Sequence, residues 1–348
     1  MRHTFSLLIV LLAAGCSKEQ PAAGKLVTAT VMAKAETTPV GTADDAADDP
    51  AIWRHPTDPA KSLIIGTDKR AGIHVYDMRG KAIGFTASPR LNNVDLRSNV
   101  TVNGKEAVLV AASDRRDEAN AAIALFTLDT NAQKLVPLAN LPVGKGEAYG
   151  MCLWQRKADG QLYAFLVLKD GRIDQVELDF SGTTANGKVV RSMKLKTQSE
   201  GCVVDDRTGL LYVTEEDVGL WRFDADPSAS MQATALGRVD RKQLVADAEG
   251  IAIMQVGTDA GYLIVSSQGD NAYAVYDLKS GRYRARFRIG DGTIDGVQET
   301  DGLELMTGDF GENYPGGLFV TQDGDNSPET QNFKFTAWAD VMKVLKLN

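Results

Sequence analysis

Histidine, cysteine and long apolar runs are all scarce in this chain. Three His and three Cys occur in 348 residues. Zinc sites are built from those two residue types, so the shortage excludes a zinc centre. His3 lies in the leading segment, and His74 alternates with Ile73 and Val75 as a strand-face side chain. His55 stands in Arg54-His55-Pro56, but Thr57-Asp58-Pro59 follows, and the rest of a histidine acid phosphatase start is missing. No Ser–His–Asp set can be assembled. Cys202 and Arg207 lack the five-residue gap of a cysteine phosphatase loop. Cys152 and Cys202 each sit among apolar neighbours, and they read as two separate buried side chains rather than a disulfide or a metal pair. Positive charge is also in deficit, with 38 Lys and Arg against 46 Asp and Glu. A net charge of −8 excludes a nucleic acid as the main partner. No helical apolar periodicity exceeds a turn or two, and the alternation of helix and strand that a parallel sheet needs is missing.

The one continuous apolar run, from Phe5 to Ala14, is too short to span a bilayer and suits a signal-peptide core. Ala13-Ala14-Gly15-Cys16 resembles a bacterial lipoprotein box with Cys16 as the lipidated residue. Ala13 stands where Leu is usual, so plain secretion is the alternative. Residues 1–16 are read as signal peptide, 17–31 as a tether and 32–348 as one domain. The chain is expected to be exported and monomeric, with a membrane link only through Cys16.

What is abundant is repetition. A short apolar strand, a polar hairpin and a second alternating strand run from Ser62 to Asp77. The unit recurs at Val108–Asp129, Leu162–Asp179, Leu211–Asp224 and Tyr262–Asp277, and again from Gly317 through Phe335. Starts about 50 residues apart match the period of a four-stranded propeller blade. The spacing predicts a six-bladed, all-β propeller of antiparallel blades around a central channel.

Each unit is preceded by a carboxylate or amide beside a small residue, then another apolar strand. The six are Asp48-Asp49-Pro50, Asn92-Asn93-Val94-Asp95, Glu147-Ala148-Tyr149-Gly150, Glu200-Gly201, Asp247-Ala248-Glu249-Gly250 and Thr300-Asp301-Gly302. Glycine is expected there to supply unusual backbone angles. Equivalent positions in repeats fall at equivalent places around the axis. If the following strand is innermost, these groups ring one mouth of the channel, and like charges held close need a cation between them. One such carboxylate is ordinarily a cap or an Asx-turn; six in register point to cations. The donors are nearly all oxygen, Gln268 included, which favours calcium over the stricter octahedron of magnesium. The hairpins add Lys69, Arg70, Arg115 and Lys169 in the first three blades. Glu215-Glu216-Asp217, Gln268, Asp270 and Asp323 fill the later ones. A ligand with several phosphates could then be held partly by Lys and Arg and partly by calcium.

The segments 48–53, 66–72, 91–97, 147–150, 199–201, 212–217, 247–250, 266–269, 301–302 and 317–324 resemble, in collinear order, those of the bacterial β-propeller phytases. The resemblance implies a calcium-dependent phosphomonoesterase acting on calcium–phytate by direct attack of metal-bound water, without a phosphoenzyme. It implies that Lys69, Lys169 and Glu216 surround the phosphate being cleaved, and that Arg115, Tyr149 and Glu200 hold a neighbouring one. Active-site calcium ligands would be Glu36, Glu200, Glu216, Asp247, Glu249, Gln268, Asp295 and Asp301. Asp48, Asp49 and Asn92 would serve structural calcium. Arg70 stands where family members often carry Lys, which keeps the charge but alters hydrogen-bond geometry. The competing reading is a non-catalytic, exported, calcium-stabilised binding module.

Overall fold

The computed structural model describes residues 26–347. The apolar leader and Cys16 lie outside the described residues. The chain forms a six-bladed propeller of antiparallel, four-stranded blades. Blade 1 pairs Ala47–Trp53, Leu63–Asp68, Gly72–Tyr76 and Ala82–Ala87 in order. Blades 2 to 5 start at Leu91–Val102, Ala148–Gln155, Ser199–Asp205 and Ala248–Val256, and blade 6 starts at Leu303–Thr307. These six first strands touch in a closed ring, so each strand that follows an acidic turn is the innermost of its blade.

The strand sequences show why the blades stack. Leu63, Ile64 and Ile65 are all fully buried, because both faces of a blade are covered by its neighbours. Leu63 and Ile65 enter the layer shared with blade 2, beside Val94 and Val110, whereas Ile64 enters the layer shared with blade 6, beside Val320 and Phe335. Each such side chain contributes about 1.5–3 kcal/mol on burial. Six apolar layers of this kind fill the six gaps between blades.

Closure is made by the N-terminal segment. Ala35–Glu36 pairs antiparallel with Phe335 and Lys334 as the outermost strand of blade 6. Thr28–Met32 runs parallel to Arg286–Gly290 and adds a fifth strand to blade 5. Thr28 to Val31, read from sequence as the end of a tether, is therefore part of the propeller.

Cys152 and Cys202 form a disulfide across 50 residues, which corrects the expectation of two independent thiols. One blade period separates them, and the ring sets the innermost strands of blades 3 and 4 side by side with the two Cα atoms 5.7 Å apart. The apolar context of each cysteine explained its burial and concealed this pairing. Closing a loop of that length stabilises by about 4 kcal/mol. Melting with a reductant present should therefore fall by roughly 5 °C. Identical melting curves with and without reductant would show that the bond carries no such constraint.

Candidate functional site

The glycines that follow the acidic residues decide how the site assembles. A Cβ on Gly150 would lie 1.8 Å from the Glu200 carbonyl oxygen, and one on Gly302 would lie 2.3 Å from Asp49 Oδ1. Gly201 meets Glu249 and Gly250 meets Asp301 in the same way. None of these four has a positive φ. They serve close approach, not unusual backbone angles: each admits the acidic turn of the next blade. The Gly250 N–H donates to the Asp301 carbonyl at 2.8 Å, and the Gly302 N–H to the Asp48 carbonyl at 3.0 Å. The ring of carboxylates is thus drawn together by the backbone.

Glu200, Glu216 and Glu249 are buried, and one carboxylate oxygen from each lies within 4.8 Å of the others. Asn92 Nδ2 donates to Glu200 Oε1 at 2.7 Å, and Arg115 donates to Asn92 Oδ1 at 3.0 Å. Arg115 also pairs with Glu147 and lies 5.4 Å from the centre of the Tyr149 ring. The Lys169 ammonium sits 5.2 Å from the same ring and forms no salt bridge among the described residues. Lys69 Nζ is cradled by Asp45 at 2.6 Å, Asp48 at 3.1 Å and Asp301 at 3.1 Å. Gln268 donates to Asp301 at 2.8 Å. A cavity of about 560 Å³ opens over this group, with Lys69, Tyr149, Glu216, Asp247, Glu249 and Gln268 in its wall.

Buried like charges leave a signature. Burial, reinforced by the Glu200 charge, pushes Glu216 up to about 7. Burial raises Asp48 and Asp301 to about 7 even though Lys69 opposes the shift in both. Burial and the Glu200 charge hold Glu249 well above the carboxylate range, and burial raises Glu200 as well. Burial works against the Lys69 ammonium, but its carboxylate partners outweigh burial and keep it firmly protonated. Three buried oxygens, Asp48 Oδ2, Glu216 Oε1 and Glu249 Oε2, have no hydrogen-bond partner.

These shifts set a pH dependence. Asp48, Glu216 and Asp301 bind protons more tightly folded than unfolded, so the stability they contribute to the metal-free fold is fully present below about pH 4 and is lost as pH rises through about 7. Metal-free protein should melt lower at pH 8 than at pH 5, opposite to the trend for salt-bridged carboxylates. A melting temperature that climbs across that window would contradict the buried cluster.

The Phytase family profile matches residues 2–347. The chain belongs to the Phytase family. It is 40% identical to the 3-phytase of Bacillus subtilis (strain 168) over 326 residues, which cover 90% of this chain and 85% of that protein. Its fold is shared with regucalcin, a calcium-binding protein from Agrobacterium tumefaciens str. C58, at a TM-score of 0.54 and 13% identity, over 90% of this chain and 96% of that one. The phytase assignment makes the protein an enzyme that hydrolyses phytate.

In this phytase, Lys69, Tyr149, Glu216, Asp247, Glu249, Gln268 and Asp301 line the cavity, Glu200 sits beside Glu216 and Glu249, and Arg115 and Lys169 lie over the Tyr149 ring. Asp48 and Asn92, expected from the family resemblance at structural calcium, contact Lys69 and Glu200 of the mouth group. Asp49 links blades 1 and 2, accepting from the Val94 N–H at 3.0 Å. Glu36 and Asp295 are not brought onto the Glu200 group. Both reach the buried Lys334 ammonium at 2.5 Å, together with Asn326 at 3.0 Å and Asp323 at 3.3 Å. Arg70 pairs with the exposed Asp44 at 3.4 Å. Asp45 lies outside the repeated turns and carries no sequence signal; Glu147 opens one of the six turns, and its pairing with Arg115 is visible only in the structure.

Proposed function

We propose that the mouth group holds calcium ions and that phosphate is transferred from calcium–phytate directly to water. The observation that carries this reading is the convergence of Glu200, Glu216 and Glu249 with partnerless buried oxygens beside Lys169 and Tyr149. The donor set fits the ion: carboxylates and amide oxygens in flexible number suit calcium. Glu200, Glu216, Asp247, Glu249, Gln268 and Asp301 would hold it. When bound, calcium would neutralise phosphoryl oxygens and lower the pKa of water beside them.

The remaining work falls to the chain. Lys169, with Tyr149 as its platform, meets a phosphate dianion with a point charge. Arg115, fixed between Asn92 and Glu147, presents its guanidinium to a neighbouring phosphate. Lys69 ties blade 1 to blade 6 through Asp48 and Asp301, placing a cation where charge develops on the transferred group. No side chain among these attacks phosphorus. A substrate made chiral at phosphorus should therefore give inverted product; retention of configuration would indicate a phosphoenzyme and contradict this mechanism.

We also propose export of the mature chain. The apolar leader motivates it, and the Cys152–Cys202 bond supports it, since such bonds persist in oxidising compartments. Finding the protein, with Cys152 and Cys202 reduced, in the cytosolic fraction would contradict export.

A further inference from the structure

One cation at the rim is used by none of the roles above. Arg90 stands in the link between Ala82–Ala87 of blade 1 and the inner strand of blade 2. Its N–H donates to the Lys69 carbonyl at 2.8 Å, and its carbonyl accepts from the Arg115 N–H at 2.9 Å. A single residue thus bridges the two hairpins that carry Lys69 and Arg115. It does so at φ 69°, a left-handed conformation that side chains larger than glycine seldom adopt. Two residues on, Asn92 reaches Glu200. The Arg90 position is therefore tied to the phosphate-holding groups by main chain on both sides.

Its side chain is engaged elsewhere. The guanidinium pairs with Glu118, at the tip of the hairpin that begins with Arg115, and the two side chains are 44% and 62% exposed. An ion pair that open to solvent contributes little and is readily exchanged. A phosphate dianion offers the same fork geometry with more charge. Inositol hexakisphosphate carries six phosphates, so groups beyond the one cleaved and its neighbour are free to meet a cation held next to Arg115 by main chain.

We propose that Arg90 is a specificity-determining residue for polyphosphorylated substrate. On binding, its guanidinium leaves Glu118 and takes a phosphate at the rim, a position for which the Glu118 carboxylate substitutes in the free protein. The inference rests on the phytate-hydrolysing reading of the mouth, and its test separates the two.

Steady-state phosphate release from calcium–phytate is compared for the wild-type protein, Arg90→Gln, Arg90→Lys and Glu118→Gln, with melting curves for each. Arg90→Gln should raise KM about fivefold at unchanged kcat. Arg90→Lys should restore most of the affinity by keeping the charge. Glu118→Gln should lower KM about twofold, because the internal competitor is weakened. Melting temperatures should stay at the wild-type value. An unchanged KM in Arg90→Gln, measured against an active wild-type protein, overturns the inference, as does a fall in kcat accompanied by a lower melting temperature. A wild-type protein that releases no phosphate from phytate would instead overturn the parent reading.

Discussion

Glu200→Gln should lower kcat/KM on phytate by about 10²–10³-fold, equivalent to about 3–4 kcal/mol of lost transition-state stabilisation. Glu200 is where the site's two populations meet: its carboxylate accepts from Asn92, which in turn is held by Arg115, and it faces Glu216 and Glu249. The amide has the same shape, and the close approach at Gly150 involves the Glu200 main chain, which the substitution leaves alone. What it loses is one full negative charge at the point where cations are expected to gather. The same substitution should raise the stability of the metal-free protein, because a buried carboxylate lifted by desolvation is removed. Opposite signs on activity and on metal-free stability distinguish a site residue from a framework residue. A variant within tenfold of wild type would remove Glu200 from the chemistry, and a variant that simply melts lower would make it structural.

Stripping calcium should lower the melting temperature by several degrees for each site emptied. A ligand that binds only the native state stabilises by about 2.7 kcal/mol when present at 100 times its Kd. For a chain of this length that corresponds to roughly 4 °C per site. The physical origin lies in the partnerless oxygens of Asp48, Glu216 and Glu249: without a cation, the fold keeps desolvated carboxylates close together. The loss should be greater at pH 8 than at pH 5, since protons relieve the same repulsion at the lower pH. Scanning calorimetry with and without chelator measures it. Superimposable curves at pH 8 would mean that no ion supports the fold.

The sequence carried the architecture because a propeller repeats. Each blade restates one strand pattern, and Glu200, Glu249 and Asp301 occupy the same place in successive units, so their convergence followed from register alone. The cations on the hairpins, Lys69, Arg115 and Lys169, were legible for the same reason. Information that sits outside the repeat was hidden. Glu36 and Asp295 meet Lys334, a residue whose position depends on how the N-terminal strand closes blade 6. Asp45 gains its role through its ion pair with Lys69, a contact no sequence pattern announces. The Cys152–Cys202 bond crosses between blades, whereas sequence context describes each cysteine within its own strand. At the entry glycines the lack of a Cβ matters, not the freedom in φ that the turn pattern suggests.

Phosphate release from phytate, followed while free calcium is raised from chelator-buffered zero, tests the mouth group most directly. Release should be undetectable at the start and should rise to a plateau with calcium, with the Glu200→Gln protein remaining near the baseline throughout. Full release in excess chelator would contradict the account, because the carboxylates that meet at the channel mouth would then have no cation to hold against phosphorus.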